Sequence, residues 1–258
     1  MKLKAHSVEK PWGRTELPSI FASQRGKRIG EIWFTADTDV PLMPKYLFTS
    51  ENLSVQVHPD DEGARARGFS RGKAECWYVV DAEPEARIGI GLCCELTGEQ
   101  LRDAAIDGSI MEAIDWRLVG TGDFLYVPAG TIHAIGAGIA LLEFQQNSDV
   151  TFRLYDYGRP RELHLDDAVG VSTLDAYPGN LMQHVGAQKD VVLVDGPEFT
   201  LIHTHADELH DRRRWILPLD GIVRSGGDTA GAGECLLLEP GDALEVQDAR
   251  MLIGAEVG

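Results

Sequence analysis

Four side chains in this sequence have the types and spacing to hold a divalent cation. Gln56 and His58 stand two apart in LSVQVHPDD, so on a strand both point to one face. Glu75 opens a second apolar run, ECWYVV, beyond a polar loop. His133 lies in PAGTIHAIG, where Pro128 and Gly130 set a turn that can aim its imidazole inward. Two imidazoles, one carboxylate and an amide oxygen make a mixed nitrogen–oxygen donor set. Such a set suits Zn2+ with one position left for water or substrate, and Fe2+, Mn2+ and Co2+ are also compatible. Each residue alone reads more simply as a turn, loop or surface group. Together they carry weight, because an inward polar face in a small barrel is costly unless its groups find partners.

The elements that must position these groups are mostly strands. RIGEIWFTAD alternates apolar and polar positions as a half-buried strand does. YLFTSENLSVQVHPD reads as a strand pair joined at SEN, and CWYVVDAE and ARIGIGL as two strands with a turn at EPE. GDFLYVPAGTIHAIGAGIALLEF reads as a tight meander. The segment TGEQLRDAAIDGSIMEAIDWRLV breaks the pattern. Thr97 with Gln100 forms a capping box, Leu101, Ala104 and Ala105 recur at helical spacing, and Gly108 separates them from Ile110, Ala113 and Ile114. Two short helices are therefore expected near 97–116. RELHLDDAVGVSTL is expected to be a helix or linker. From about 186 the chain is strand-like again, and EPGDALEV echoes GTGDFLYV of the first half. The echo predicts two barrels of similar construction, the second without the polar residues of the first.

Composition narrows the functions. The chain has 258 residues, 43% hydrophobic and 25% charged, with a net charge of −17. An acidic surface of that size repels nucleic acid and anionic lipid, whose binding rests on Lys and Arg meeting phosphates. Neither is expected as a partner. An anionic ligand would need a local basic pocket. No apolar run reaches the length of a membrane span, and the first residues lack the apolar stretch of a secretion signal. Cys76, Cys93, Cys94 and Cys235 offer no CxxC, and the adjacent pair alternates sides of a strand. Reduced thiols and a cytoplasmic location are expected.

LSVQVHPDD, GKAECWYVV, GDFLYVPAGTIHAIGAG and LLEFQQNSDVTFRLYDYGR, in this order and with these gaps, resemble the class I mannose-6-phosphate isomerases in their short bacterial form. The similarity is nearly unbroken from about 45 to 160 and weaker outside. It implies a mainly β fold of two cupin (jelly-roll) barrels with a small helical insertion. A catalytic cupin domain would span 1–165, a helix or linker 166–185 and a degenerate second cupin domain 186–258. The resemblance implies that Gln56, His58, Glu75 and His133 hold zinc and that Arg153 is the family's active-site arginine. Ser54 and Lys73 match pocket positions, and Glu143 matches an acidic residue of the site. Arg159 stands where longer members carry lysine, which keeps the charge and changes the geometry.

The implied reaction interconverts mannose 6-phosphate and fructose 6-phosphate through an enediolate. A base must move a weakly acidic proton between C2 and C1. Glu143 is the first candidate and Lys73 the second. Arg159 and Ser54 are the phosphate candidates, since a guanidinium grips phosphate oxygens in pairs. Two alternatives use the same ligands: an iron-dependent cupin dioxygenase and a non-catalytic sugar-binding cupin. Lys73, Arg153 and Arg159 argue for an anionic sugar against the first, and a full ligand set argues against the second. His203, His205 and His210 could form a second metal site, but no carboxylate follows at matching spacing, so structural or surface roles are expected. Trp12 and Trp33 are expected as core or pocket wall.

Overall fold

The computed structural model describes residues 1–24, 26–187 and 189–257. The first part of the chain runs β1 (Lys4–Arg14), β2 (Ile29–Thr35), β3 (Leu42–Phe48), β4 (Val55–Val57), α1 (Asp61–Arg65), β5 (Glu75–Ala82) and β6 (Arg87–Leu92). It continues through α2 (Gly98–Asp107), α3 (Ile110–Ala113), β7 (Ile114–Leu118), β8 (Asp123–Val127), β9 (His133–Ile135), β10 (Ile139–Gln146), β11 (Phe152–Tyr155), α4 (Leu165–Val171) and β12 (Met182–His184). Then follow β13 (Val191–Asp195), β14 (Phe199–Thr204), β15 (Arg214–Pro218), β16 (Ile222–Ser225), β17 (Asp228–Gly231), β18 (Leu236–Leu238), β19 (Glu245–Gln247) and β20 (Met251–Glu256).

Four sheets result. A seven-stranded sheet in the order β1-β2-β3-β10-β5-β8-β12 faces a five-stranded sheet, β11-β4-β9-β6-β7. A second pair follows, β13-β14-β20-β15-β18 and β17-β16-β19. The chain is thus mainly β, with two jelly-roll units and a small helical insertion. All named strand pairs are antiparallel, so inward and outward residues alternate along each strand.

The strand partners differ from those the sequence predicts. β3 and β4 do not form a pair: β3 lies between β2 and β10, while β4 lies between β11 and β9. The expected meander over β8, β9 and β10 also dissolves, because β9 belongs to the opposite sheet from its neighbours. Alternation and turn residues mark where strands are. They carry no record of which strands meet across the barrel.

The helical insertion follows its signals as far as Ala113; Ile114, expected on the second helix, opens β7 instead and pairs with Leu92 of β6. Thr97 caps α2, with its side chain accepting from Gln100 N and the Gln100 side chain accepting from Thr97 N. Gly108 ends the helix in the left-handed region at φ 87°. Leu101, Ala105 and Ile110 pack with Val55, Val57, Phe152, Leu154 and Ala168, so helices cover the outer face of the five-stranded sheet. A larger core joins the two halves: Tyr46, Phe48 and Phe144 of the first pack in one cluster with Phe199, Leu201 and Trp215 of the second. The expected polar loop after His58 folds into α1, whose N-cap is Asp60.

Candidate metal centre and active site

The site lies between the two sheets of the first unit. Gln56 on β4 pairs in register with His133 at the start of β9, and Arg153 on β11 pairs with Gln56. His58 sits just past β4. Glu75 opens β5 in the facing sheet, where it lies opposite Gln145 and Val127. The PAG turn does the aiming. Thr131 N donates to Pro128 O, Gly130 takes φ 85°, and Gly130 N donates to His58 O at 2.7 Å. That bond ties the His58 segment to the turn before His133.

All four side chains converge. His133 Nε2 is 3.4 Å from Glu75 Oε1, His58 Nε2 is 3.6 Å from Glu75 Oε2, and Gln56 Nε2 is 3.2 Å from His133 Nε2. Donor atoms of His58, Glu75 and His133 all lie within 4.8 Å of one another. A tetrahedral ion with bonds of about 2.0–2.1 Å has ligand atoms roughly 3.3–3.4 Å apart, close to the separations of each histidine from its nearer Glu75 oxygen. The imidazoles are poised as ligands. His58 Nδ1 donates to Val150 O at 2.7 Å and His133 Nδ1 donates to Thr131 O at 2.9 Å, leaving both Nε2 lone pairs turned to the cluster. Gln56 presents its amide nitrogen to His133, while its oxygen accepts from Ser54 Oγ at 3.2 Å. A half-turn of the amide exchanges the two atoms and offers the oxygen instead. These residues can hold a divalent cation.

Burial holds both imidazoles neutral. His133 is pushed down to about 4 by burial, with Lys73 adding to the effect. His58 lies well below its ordinary value, through burial first and then the charges of Lys73 and His133. Trp77, fully buried, stands edge-on to His133 with ring centroids 5.3 Å apart.

Beside the cluster runs a chain of buried charges. Lys73 Nζ is 2.7 Å from Glu75 Oε2 and 3.4 Å from Glu143 Oε1. Glu143 Oε1 is also 3.3 Å from Lys45 Nζ, and Lys45 is 3.5 Å from Glu31, which meets Lys10 at 3.2 Å. The row follows from register: Glu143 on β10 lies opposite Lys45 on β3 and Trp77 on β5. Burial raises the Glu143 carboxyl above its usual range, and Glu75 raises it further. Burial alone would lower Lys45, but Glu143, Glu31 and Glu75 together outweigh it and hold the ammonium above its ordinary value. Lys45 and Glu31 were not anticipated. The signal was there: a lysine inside LMPKYLF and a glutamate inside GEIWF interrupt apolar strands.

A cavity of about 720 Å³ opens over these groups. Its lining includes Gln56, Glu75, Lys73, Glu143 and Ser54, with Trp12 as wall and Arg153, Arg159 and Arg161 toward one side. Of the residues singled out for chemistry, Ser54, Gln56, Lys73, Glu75, Glu143, Arg153 and Arg159 line this cavity, whereas His58 and His133 do not and meet it through Glu75 and Gln56. Arg153 Nη1 donates to Glu162 O at 2.7 Å. The second-half histidines form no such centre. His203 is buried with Nδ1 donating to Lys189 O, and His205 pairs with Asp190. Among the described residues, His58, Glu75 and His133 are the one histidine–acid group close enough for an ion.

Fold and site define a two-unit cupin with a cation-type donor set on the floor of its first barrel. No family model matches the chain. It is 45% identical over 145 residues to mannose-6-phosphate isomerase ManA of Bacillus subtilis, covering 54% of this chain and 46% of that one. It is 40% identical over 169 residues to the mannose-6-phosphate isomerase of Streptococcus mutans, covering 62% and 53%. The chain spans about half the length of these curated relatives. The crystal structure of the mannose 6-phosphate isomerase from Bacillus subtilis superposes with a TM-score of 0.79 at 24% identity, covering 99% of each chain. Over the matched stretches the chain is similar in sequence to these bacterial mannose-6-phosphate isomerases, and it shares the fold of the solved one.

Proposed function

We propose that this chain is a metal-dependent aldose–ketose isomerase that interconverts mannose 6-phosphate and fructose 6-phosphate. One observation supports the reading above others: a buried two-histidine, one-glutamate cluster lies beneath a cavity whose side carries three arginines. Gln56, His58, Glu75 and His133 would hold the ion, and zinc suits their nitrogen and oxygen donors. Such an ion supplies Lewis-acid polarisation of the sugar's carbonyl and stabilises negative charge on its oxygens.

The chain's own residues account for the rest. Glu143 is the proton-transfer group between C2 and C1, and its raised carboxyl pKa makes it a stronger base than an exposed glutamate. Lys73 lies between Glu75 and Glu143 and donates toward the sugar oxygens where charge develops. Arg153 orients the sugar. Ser54 and Arg159 receive the phosphate. The basic side of the cavity suits an anionic sugar better than the neutral substrates open to an iron oxygenase. Four free cysteines accord with a reducing, cytoplasmic setting, and no helix among the described residues is long and apolar enough to cross a membrane.

The test is a coupled assay of mannose 6-phosphate turnover with and without chelator. Activity that falls with chelator, returns with Zn2+ and is lost in His133→Ala is the expected result. Activity untouched by chelator would remove the ion from the account, and no turnover by the metal-loaded chain would remove the reaction.

A further inference from the structure

The cavity's basic side is organised around one acid. Asp156 follows β11 and is 2% exposed, in a chain where exposed carboxylates abound. Its Oδ2 takes Arg161 Nε at 2.5 Å and its Oδ1 takes Arg161 Nη2 at 2.6 Å, a two-pronged grip. The same Oδ1 meets Arg159 Nη2 at 2.8 Å. Arg159 is fixed further by Asn52 O at 2.9 Å and by the Tyr157 ring, 5.1 Å beneath its guanidinium. Both arginines remain partly exposed and line the cavity, as does Arg153, whose Nε is buried without a hydrogen-bond partner.

Local backbone makes this possible. Tyr157 at φ 55° and Gly158 at φ 75° turn the chain, and Arg159 N closes the turn on Asp156 O at 2.9 Å. Two successive left-handed residues form the tight primed-type reversal that brings residues 159 and 161 back beside residue 156. A tyrosine in that region is strained, and strain is retained where surrounding structure imposes it.

Charge gives the arrangement its sense. Arg153, Arg159 and Arg161 set against the buried Asp156 and the exposed Asp149, which also lines the cavity, still leave a local surplus of positive charge, in a chain whose net charge is −17. Glu51 is 3.9 Å from Arg159 and largely solvated, so it offsets little. A dianionic phosphate monoester matches the surplus, and two guanidiniums held by one buried carboxylate need no reorganisation to meet it.

We infer that Asp156 is the positioning residue of the phosphate subsite, clamping Arg159 and Arg161 in the orientation that captures a phosphosugar. This rests on the isomerase reading for its substrate, and on geometry alone for its anion. Asp156 touches neither the ion cluster nor the reacting carbons, so its removal should weaken capture and spare chemistry.

The test compares the native full chain with Asp156→Asn and Arg161→Lys. Each is measured by steady-state kinetics on mannose 6-phosphate and by calorimetric titration with inorganic phosphate. In Asp156→Asn, KM and the phosphate Kd should both rise about tenfold or more, with kcat held within about twofold. Arg161→Lys keeps the charge and loses the fork, so it should fall between the two. It also carries the test if Asp156→Asn does not fold. Unchanged KM and phosphate Kd in both variants, or a fall in kcat alone, overturns the clamp. If the native chain binds phosphate in an Asp156-dependent way yet turns over no sugar phosphate, the isomerase reading fails and the clamp stands. If turnover is present and the variants match the native chain, the clamp fails and the isomerase reading stands.

Discussion

Each imidazole at the cluster has one nitrogen committed to a backbone carbonyl and the other turned inward. That commitment decides how pH acts on the site. A protonated imidazole has no lone pair to give, so protons compete with the ion. An exposed pair would begin to lose its metal near the ordinary histidine pKa of about 6.5. Here burial and the nearby Lys73 depress both rings, with His133 down to about 4. The sign is therefore protective: lowering the pH from 8 to about 6 leaves His133 neutral, its protonation setting in only toward 4, and burial holds His58 down in the same direction. Zn2+ affinity measured by chelator competition should stay nearly flat from about pH 8 to 6 and drop steeply below about 5. A midpoint near 6.5 would show rings that behave as solvated ones. At this scale the convergence of these four side chains was legible because Gln56 and His58 share strand parity and His133 follows a turn that aims it inward. Glu31, Lys45 and Asp156 were not. A charged residue at alternate positions of a strand has the same pattern whether it faces water or a polar cavity, and only the facing sheet tells which.

At the scale of elements, the PAG turn is the joint between the two histidine-bearing segments. Gly130 sits at φ 85°, where a side chain is strained at any position. A Cβ there would also come within 2.8 Å of Thr173 Oγ1 and 3.1 Å of Val171 O. Its amide holds His58 O, and its carbonyl takes Thr173 N at 2.8 Å. Gly130→Ala should therefore cost about 1–2 kcal/mol of stability. It should also weaken metal binding, because the turn and the His58 strand shift together. Thermal melting and chelator competition on the same sample check this. A variant that melts lower yet binds metal as tightly would confine the glycine to stability. Gly130 was readable in the sequence as a turn residue, as were the Thr97 cap and the Gly108 stop. Pairing was not, because β4 meets β9 and β11 through contacts far apart along the chain. A hairpin at SEN and a meander through PAG satisfy the same local pattern.

For the molecule as a whole, the second unit contributes no ligand to the cluster, yet it packs against the strand that carries Glu143. Phe144 lies next to Glu143 on β10 and points the other way, into the core shared by both halves. Its ring stands edge-on to Phe199 at 5.3 Å and to Trp215 at 6.0 Å. It also lies against Gly254 of β20 so closely that a Cβ there would be 2.2 Å from Phe144 Cζ. Only glycine admits the ring. Gly254→Ala must push Phe144 aside, and overpacking of this kind costs about 1–3 kcal/mol. At roughly 2–4 °C per kcal/mol for a chain of this size, the melting temperature should fall by several degrees. Because the clash is between two named groups, its relief is specific. Phe144→Leu alone destabilises by leaving space, but in the Gly254→Ala background it should recover part of the loss, giving a coupling that simple addition of the two effects does not. Additive effects in the double-mutant cycle would mean that the two halves do not meet through this contact, and that the second unit supports β10 by some other route.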